Sequence, residues 1–126
     1  MTSTILVVDD QSDARRLVRM VMELERHQII EAANGESALA MAHLHRPDCV
    51  IIDLRMPGRV DGFNLCQAIK NDPDLSQIPV IILSAFFQQD EKNLGIEFGA
   101  DAFLEKPFNF SQLLDEVDRV IDRVKQ

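Results

Sequence analysis

The sequence predicts an α/β fold: an open, parallel β-sheet covered by helices on both faces. Two observations lead there. Short β-branched apolar runs alternate along the chain with longer stretches of helical period, and the central runs are continuously apolar. A strand covered on both faces is apolar throughout, whereas a strand with one wet face alternates. Strands that alternate with helices are joined by right-handed crossovers and therefore run parallel.

In chain order, the strand-like runs are Ile5-Leu6-Val7-Val8, Ile29-Ile30, Cys49-Val50-Ile51-Ile52, Pro79-Val80-Ile81-Ile82-Leu83 and Ala102-Phe103-Leu104. The first helix follows Ser12, a capping residue type, and its core face reads as Ala14, Leu17, Val18, Val21 and Leu24. The second follows Asn34 and places Ala38, Leu39, Met41 and Ala42 more loosely on one side; the third starts after Asp61. A fourth, over residues 89–98, is short, polar and interrupted by Gly95. The fifth opens with an Asn109/Gln112 capping box and carries the stripe Leu113, Leu114, Val117, Val120, Ile121 and Val124.

A chain of 126 residues makes one domain, 1–126, large enough to bury a core without a disulfide or structural metal. With 46% hydrophobic and 27% charged residues, disorder is not expected. The net charge of −8 opposes binding to nucleic acid or an anionic membrane, since both need clustered Lys and Arg. No apolar run approaches the roughly 20 residues that cross a bilayer, and the first residues run straight into a strand pattern rather than a signal peptide. Cys49 and Cys66 lack CxxC spacing and read as reduced thiols of a cytoplasmic protein. His43 and His45, two apart, diverge on a helix, which argues against zinc. All three histidines (His27, His43 and His45) read as surface residues and the five methionines as core filler.

In open α/β sheets, ligands bind beyond the carboxyl ends of the strands. Strand one ends in Asp9-Asp10, strand three in Asp53, strand four in Ser84, and strand five runs into Lys106-Pro107. Singly, each has a plain explanation: Asp caps the next helix, and Ser or Lys is solvated. Together they set three carboxylates, one hydroxyl and one ammonium along one sheet edge. Like charges crowded in a crevice need a cation, and oxygen-only donors select Mg2+ or Mn2+ over zinc.

The segments Asp9-Asp10, Asp53-Leu54-Arg55-Met56-Pro57, Ser84-Ala85 and Gly99-Ala100-Asp101-Ala102-Phe103-Leu104-Glu105-Lys106-Pro107-Phe108, in this order, resemble the receiver domain of bacterial two-component response regulators. The resemblance covers essentially the whole chain. It implies a doubly wound, flavodoxin-like (βα)5 sheet with strand order 2-1-3-4-5, which periodicity does not supply. It implies that Asp53 takes a phosphoryl group from a sensor histidine kinase, a histidine phosphotransfer protein, or a small donor such as acetyl phosphate. Mg2+ would be held by Asp10, Asp53 and the backbone carbonyl of Arg55, with Asp9 acting through water. Lys106 would pair with Asp53 and then with a phosphoryl oxygen, and Ser84 would swing to bond another. In the family an aromatic follows that hydroxyl inward; Phe103 stands there, where it also reads as core packing, and it lacks the hydroxyl of Tyr. The responding face would be the fourth helix, fifth strand and fifth helix, residues 90–98 and 103–114, presented to a downstream protein, a fused output domain or a second copy. Pro107 corresponds to a position whose peptide bond is usually cis.

Arg15, Arg16 and Arg19 are read on the exposed side of the first helix, either as a kinase-docking face or as solvated charges. Two departures from the family pattern stand out. One extra residue lies between Pro57 and Asp61, which predicts a longer loop; Arg55 and Phe86 are bulky where the family varies phosphoryl lifetime, and are expected to shield the acyl phosphate. Other readings fit less well. An FMN site would need a Gly- and hydroxyl-rich loop where Asp9-Asp10-Gln11 would repel phosphate, and an aspartyl-phosphate hydrolase would want a second acid where Arg55 stands. A degenerate scaffold would not keep the full set. The expected role is regulatory rather than enzymatic, in a stand-alone protein or in the receiver portion of a longer one.

Overall fold

The structure, a computed structural model, describes residues 3–54, 62–84, 99–106 and 108–125. Five strands, β1 (Thr4–Val8), β2 (Gln28–Ala32), β3 (Cys49–Asp53), β4 (Val80–Ser84) and β5 (Ala102–Glu105), form one parallel sheet ordered β2-β1-β3-β4-β5. Four helices are described: α1 (Ser12–Leu24), α2 (Gly35–His45), α3 (Gly62–Asn71) and α4 (Phe110–Lys125). The predicted fold class and strand order are those observed. The Asp61 cap, the fourth predicted helix over 89–98, the longer loop, Arg55, Phe86 and Pro107 lie outside the described residues.

The continuous apolar runs are explained by two cores. Leu6, Val8, Val50, Ile52, Val80 and Ile82 project to one face, against Ala38 and Ala42 of α2 and Leu65 and Ile69 of α3. The intervening Ile5, Val7, Cys49, Ile51, Ile81 and Leu83 project to the other, against α1 and α4. Side chains alternate faces along a strand, so a strand buried twice must be apolar at every step. Cys49 and Cys66 fall in different cores, which keeps them from forming a disulfide. Burial pushes both thiols up, that of Cys66 to about 11, so both are unreactive.

Helix boundaries follow identifiable caps. Asn34 Oδ1 accepts the Ser37 N–H at 2.8 Å. At α4, the Asn109 N–H donates to Gln112 Oε1 at 2.9 Å and the Gln112 N–H returns to Asn109 Oδ1 at 2.8 Å, the reciprocal box read from the sequence. Ser12, by contrast, is the first residue of α1 rather than its cap; the capping position is Gln11, whose own N–H donates to Asp9 Oδ1 at 2.9 Å.

The face of α1 also differs from expectation. Val18, Val21 and Met22 are buried, while Leu17, Met20 and Leu24 are 49%, 59% and 81% exposed. Of the expected core face, Val18 and Val21 are buried and Ala14 is half-buried, whereas Leu17 and Leu24 face solvent and Met22 is buried in addition. Met20 is therefore not core filler, and Val124, in the last turn of α4, is exposed too. His27 corrects the surface reading of the histidines: it is buried beneath the turn after α1, and its Nδ1 accepts the Ser3 N–H at 3.3 Å. Among the described residues, no helix is long and apolar enough to cross a membrane.

Candidate functional site

Parallel pairing in register delivers the polar strand ends to one place. Val8 pairs with Ile52, so Asp9 emerges level with Asp53, the last residue of β3. Asp53 pairs with Leu83, and Ser84 with Glu105, which sets Ser84 and then Lys106 alongside. The Lys106 N–H donates to the Ser84 carbonyl at 2.6 Å, holding the two chain ends together past β5.

One carboxylate oxygen from each of Asp9, Asp10 and Asp53 lies within 4.8 Å of the others. Lys106 Nζ stands 3.6 Å from Asp53 Oδ2. Asp9, Asp53 and Ser84 are buried and Asp10 is half-buried. The cost of this crowding is visible at Asp9, whose pKa is pushed up from 3.8 to about 6. Burial is the main cause, and the neighbouring Asp53 and Asp10 charges add to it; the Gln11 N–H bond and Lys106 oppose it. Three carboxylates facing one ammonium form an anionic, all-oxygen donor set, which fits a hard divalent cation and not a soft one.

The backbone around the cluster is built for close approach. A Cβ on Gly62 would sit 2.8 Å from Leu54 Cα, so only glycine lets the start of α3 lie directly on the chain leaving β3. At the other end of the sheet, Asp101 Oδ2 accepts the Val80 N–H at 2.8 Å and pairs with Lys70 Nζ at 2.8 Å. Gly99, at φ +93°, passes over that lysine stem. The Gly99-Ala100-Asp101 segment therefore latches β5 to β4 and sets where Lys106 emerges.

Phe103 is half-buried and packs against the α2/α3 core. Beside the acids opens a cleft of about 320 Å³, lined by Asp9, Lys106, Leu17, Val18, Phe108 and Phe110. A larger cleft, about 680 Å³, lies away from the chemistry, between Thr4, Arg19, His27 and His45. Of the three arginines read as exposed, only Arg16 is. Arg15 and Arg19 both pair with Glu31 at 3.1 Å, and Arg15 Nη1 donates to the Asp9 carbonyl at 2.7 Å. Sequence reasoning missed this cluster; its one signal was Glu31, an acid interrupting the apolar run of β2.

Comparison with known proteins accords with this architecture. Residues 5–118 match the family described as the response regulator receiver domain. The chain is 42% identical over 109 residues to the response regulator GtcR of Aneurinibacillus migulanus, covering 86% of this chain and 43% of that protein. It is 36% identical over 132 residues to the response regulator PleD of Caulobacter vibrioides, covering all of this chain and 29% of that one. The chain thus spans about half or less of the curated relatives it matches. Among solved structures, the chemotaxis protein CheY4 of Vibrio cholerae superposes with a TM-score of 0.88 at 31% identity, over 95% of this chain and 99% of that one. The signal receiver domain of a signal transduction histidine kinase from Syntrophus aciditrophicus gives a TM-score of 0.91 at 34% identity, over 98% and 93%. With its fold, its acidic strand ends and nearly all of its length accounted for, the chain belongs to the response regulator receiver domain family, the regulatory receivers of two-component signalling.

Proposed function

We propose that the chain is a phosphoryl-accepting switch in which Asp53 is the acceptor. The observation that carries this is the placement of Asp53: its carboxylate lies among the oxygens of Asp9 and Asp10 and 3.6 Å from Lys106 Nζ. Asp53 attacks the phosphorus of a phosphohistidine, the P–N bond breaks, the imidazole leaves, and an aspartyl phosphate remains. Asp9, Asp10 and Asp53, with the backbone carbonyl of Arg55, would hold Mg2+; Mn2+ suits the same donors. When bound, the ion neutralises and orients the transferring oxygens. Lys106, with its Nζ 3.6 Å from Asp53 Oδ2, supplies a second positive charge.

Output follows from Ser84. Its hydroxyl bonds a phosphoryl oxygen only if the end of β4 shifts, and Phe103, which pairs with Ile82 two residues before Ser84, moves with it. A new dianion at Asp53 favours whichever arrangement it contacts better. The surface over residues 90–98 and 103–114 then changes for a downstream protein, a fused output domain or a second copy. The phosphodonor, a sensor kinase or histidine phosphotransfer protein, docks on the exposed stripe of α1 beside the acids, where Leu17 and Met20 lie next to Arg16. The chain acts as one regulatory domain in the cytoplasm; it assists its own phosphorylation and processes no separate substrate.

The test is intact-mass analysis after incubation with acetyl phosphate and Mg2+. The parent protein gains one phosphoryl group and the Asp53→Asn protein gains none. Equal labelling of both, or no labelling of the parent, contradicts the assignment.

A further inference from the structure

We infer that Arg15 is a positioning residue that locks Asp9 for metal binding, through a strut running from β2 across α1 to the end of β1. The inference rests on the divalent-cation reading of the acidic cluster and adds a residue to it.

Asp9 is held at three points. Its N–H donates to the Ala32 carbonyl at 3.1 Å, extending the ladder to β2. Its Oδ1 accepts the Gln11 N–H at 2.9 Å. Its carbonyl accepts Arg15 Nη1 at 2.7 Å, the shortest of the three. Arg15 is in turn fixed by its Nε, 3.1 Å from Glu31 Oε1, with the Arg15 side chain only 17% exposed. Arg19 Nε lies 3.1 Å from the other Glu31 oxygen as an ion pair without a hydrogen bond, so it adds charge there rather than alignment. One planar guanidinium thus bridges a strand carbonyl and a carboxylate on the neighbouring strand. A lysine ammonium, a single point donor, does not reproduce that span.

The sign of the effect separates positioning from simple charge. Arg15 is a cation near an anionic pocket, so if charge were its whole influence, removing it would tighten binding of a divalent cation. If it positions Asp9, removing it lets the turn between β1 and α1 relax, and binding weakens. Partners that orient metal ligands typically account for roughly 10- to 100-fold in affinity.

The experiment is Mn2+ binding, with free ion counted by electron paramagnetic resonance, on the full chain and three variants of it. Arg15→Ala and Arg15→Lys are each expected to weaken Mn2+ about 10-fold. Arg19→Ala removes the same charge and also contacts Glu31, but it leaves the Asp9 carbonyl bond intact and is expected to change affinity less than about 2-fold. Unchanged or tighter binding in Arg15→Ala overturns the inference, as does an equal loss in Arg19→Ala or full affinity in Arg15→Lys. If the parent itself binds no Mn2+, the cation reading of the cluster fails, and the strut has nothing to position.

Discussion

At pH 7, without divalent ions, the Asp9→Asn protein is expected to be more stable than the parent by about 1 to 3 kcal/mol. The Asp9 carboxyl titrates at about 6 in the folded protein, against 3.8 as the ordinary value. Below the lower value both folded and unfolded chains keep the proton, and there is no penalty. Between the two values the folded form keeps a proton that the unfolded chain has released, so folding weakens as pH rises. Above about 6 the penalty is complete, because a buried carboxylate then sits charged beside Asp53 and Asp10. Asparagine removes the charge while its side-chain oxygen can still accept the Gln11 N–H. Urea denaturation at pH 5 and pH 7.5 measures the difference, which should be wider at the higher pH. A variant less stable than its parent, or a gap independent of pH, would contradict this account. An acid kept where it destabilises the empty fold is what a cation site requires.

The second large effect concerns packing. Ile81→Ala is expected to cost about 3 to 5 kcal/mol, and Leu24→Ala less than about 0.5 kcal/mol. Ile81 is fully buried in the middle of β4, between Ile51 and Ala102 on its neighbours, and faces the core shared by α1 and α4. Truncation there leaves a cavity that rigid flanking strands cannot close. Leu24, 81% exposed at the end of α1, loses almost no buried surface when truncated. Chemical denaturation of both proteins decides the matter. A loss above 2 kcal/mol in Leu24→Ala would mean that Leu24 packs in the core, as its spacing suggests.

That misreading shows where sequence patterns lose resolution. The three central strands were legible because a doubly buried strand has to be apolar at every position, and few other segments are. On α1, however, Leu17 and Leu24 keep helical spacing with the buried Val18 and Val21, and period alone does not say where the stripe leaves the sheet. Strand order was likewise invisible to periodicity and came only with the family resemblance. At the site, Asp9, Asp10, Asp53, Ser84 and Lys106 were legible because polar residues directly after apolar runs emerge at one sheet edge. Arg15 was not legible: six residues beyond Asp9, on a helix with two other arginines, it looks like any solvated charge. The role inferred for it depends on Glu31, reached only once β2 lies beside β1. His27 was missed for a similar reason, since a residue between a helix and a strand is buried or exposed according to how the turn folds back.

The most direct measurement is a calorimetric titration with Mg2+ of the parent protein and of its Asp10→Asn and Asp53→Asn variants at pH 7.5. Three acids from two strand ends acting as one cation site predict a single saturable binding event in the parent and its loss in both variants. A parent that shows no saturable heat, or variants that bind as it does, would leave the acidic cluster without a cation to explain it.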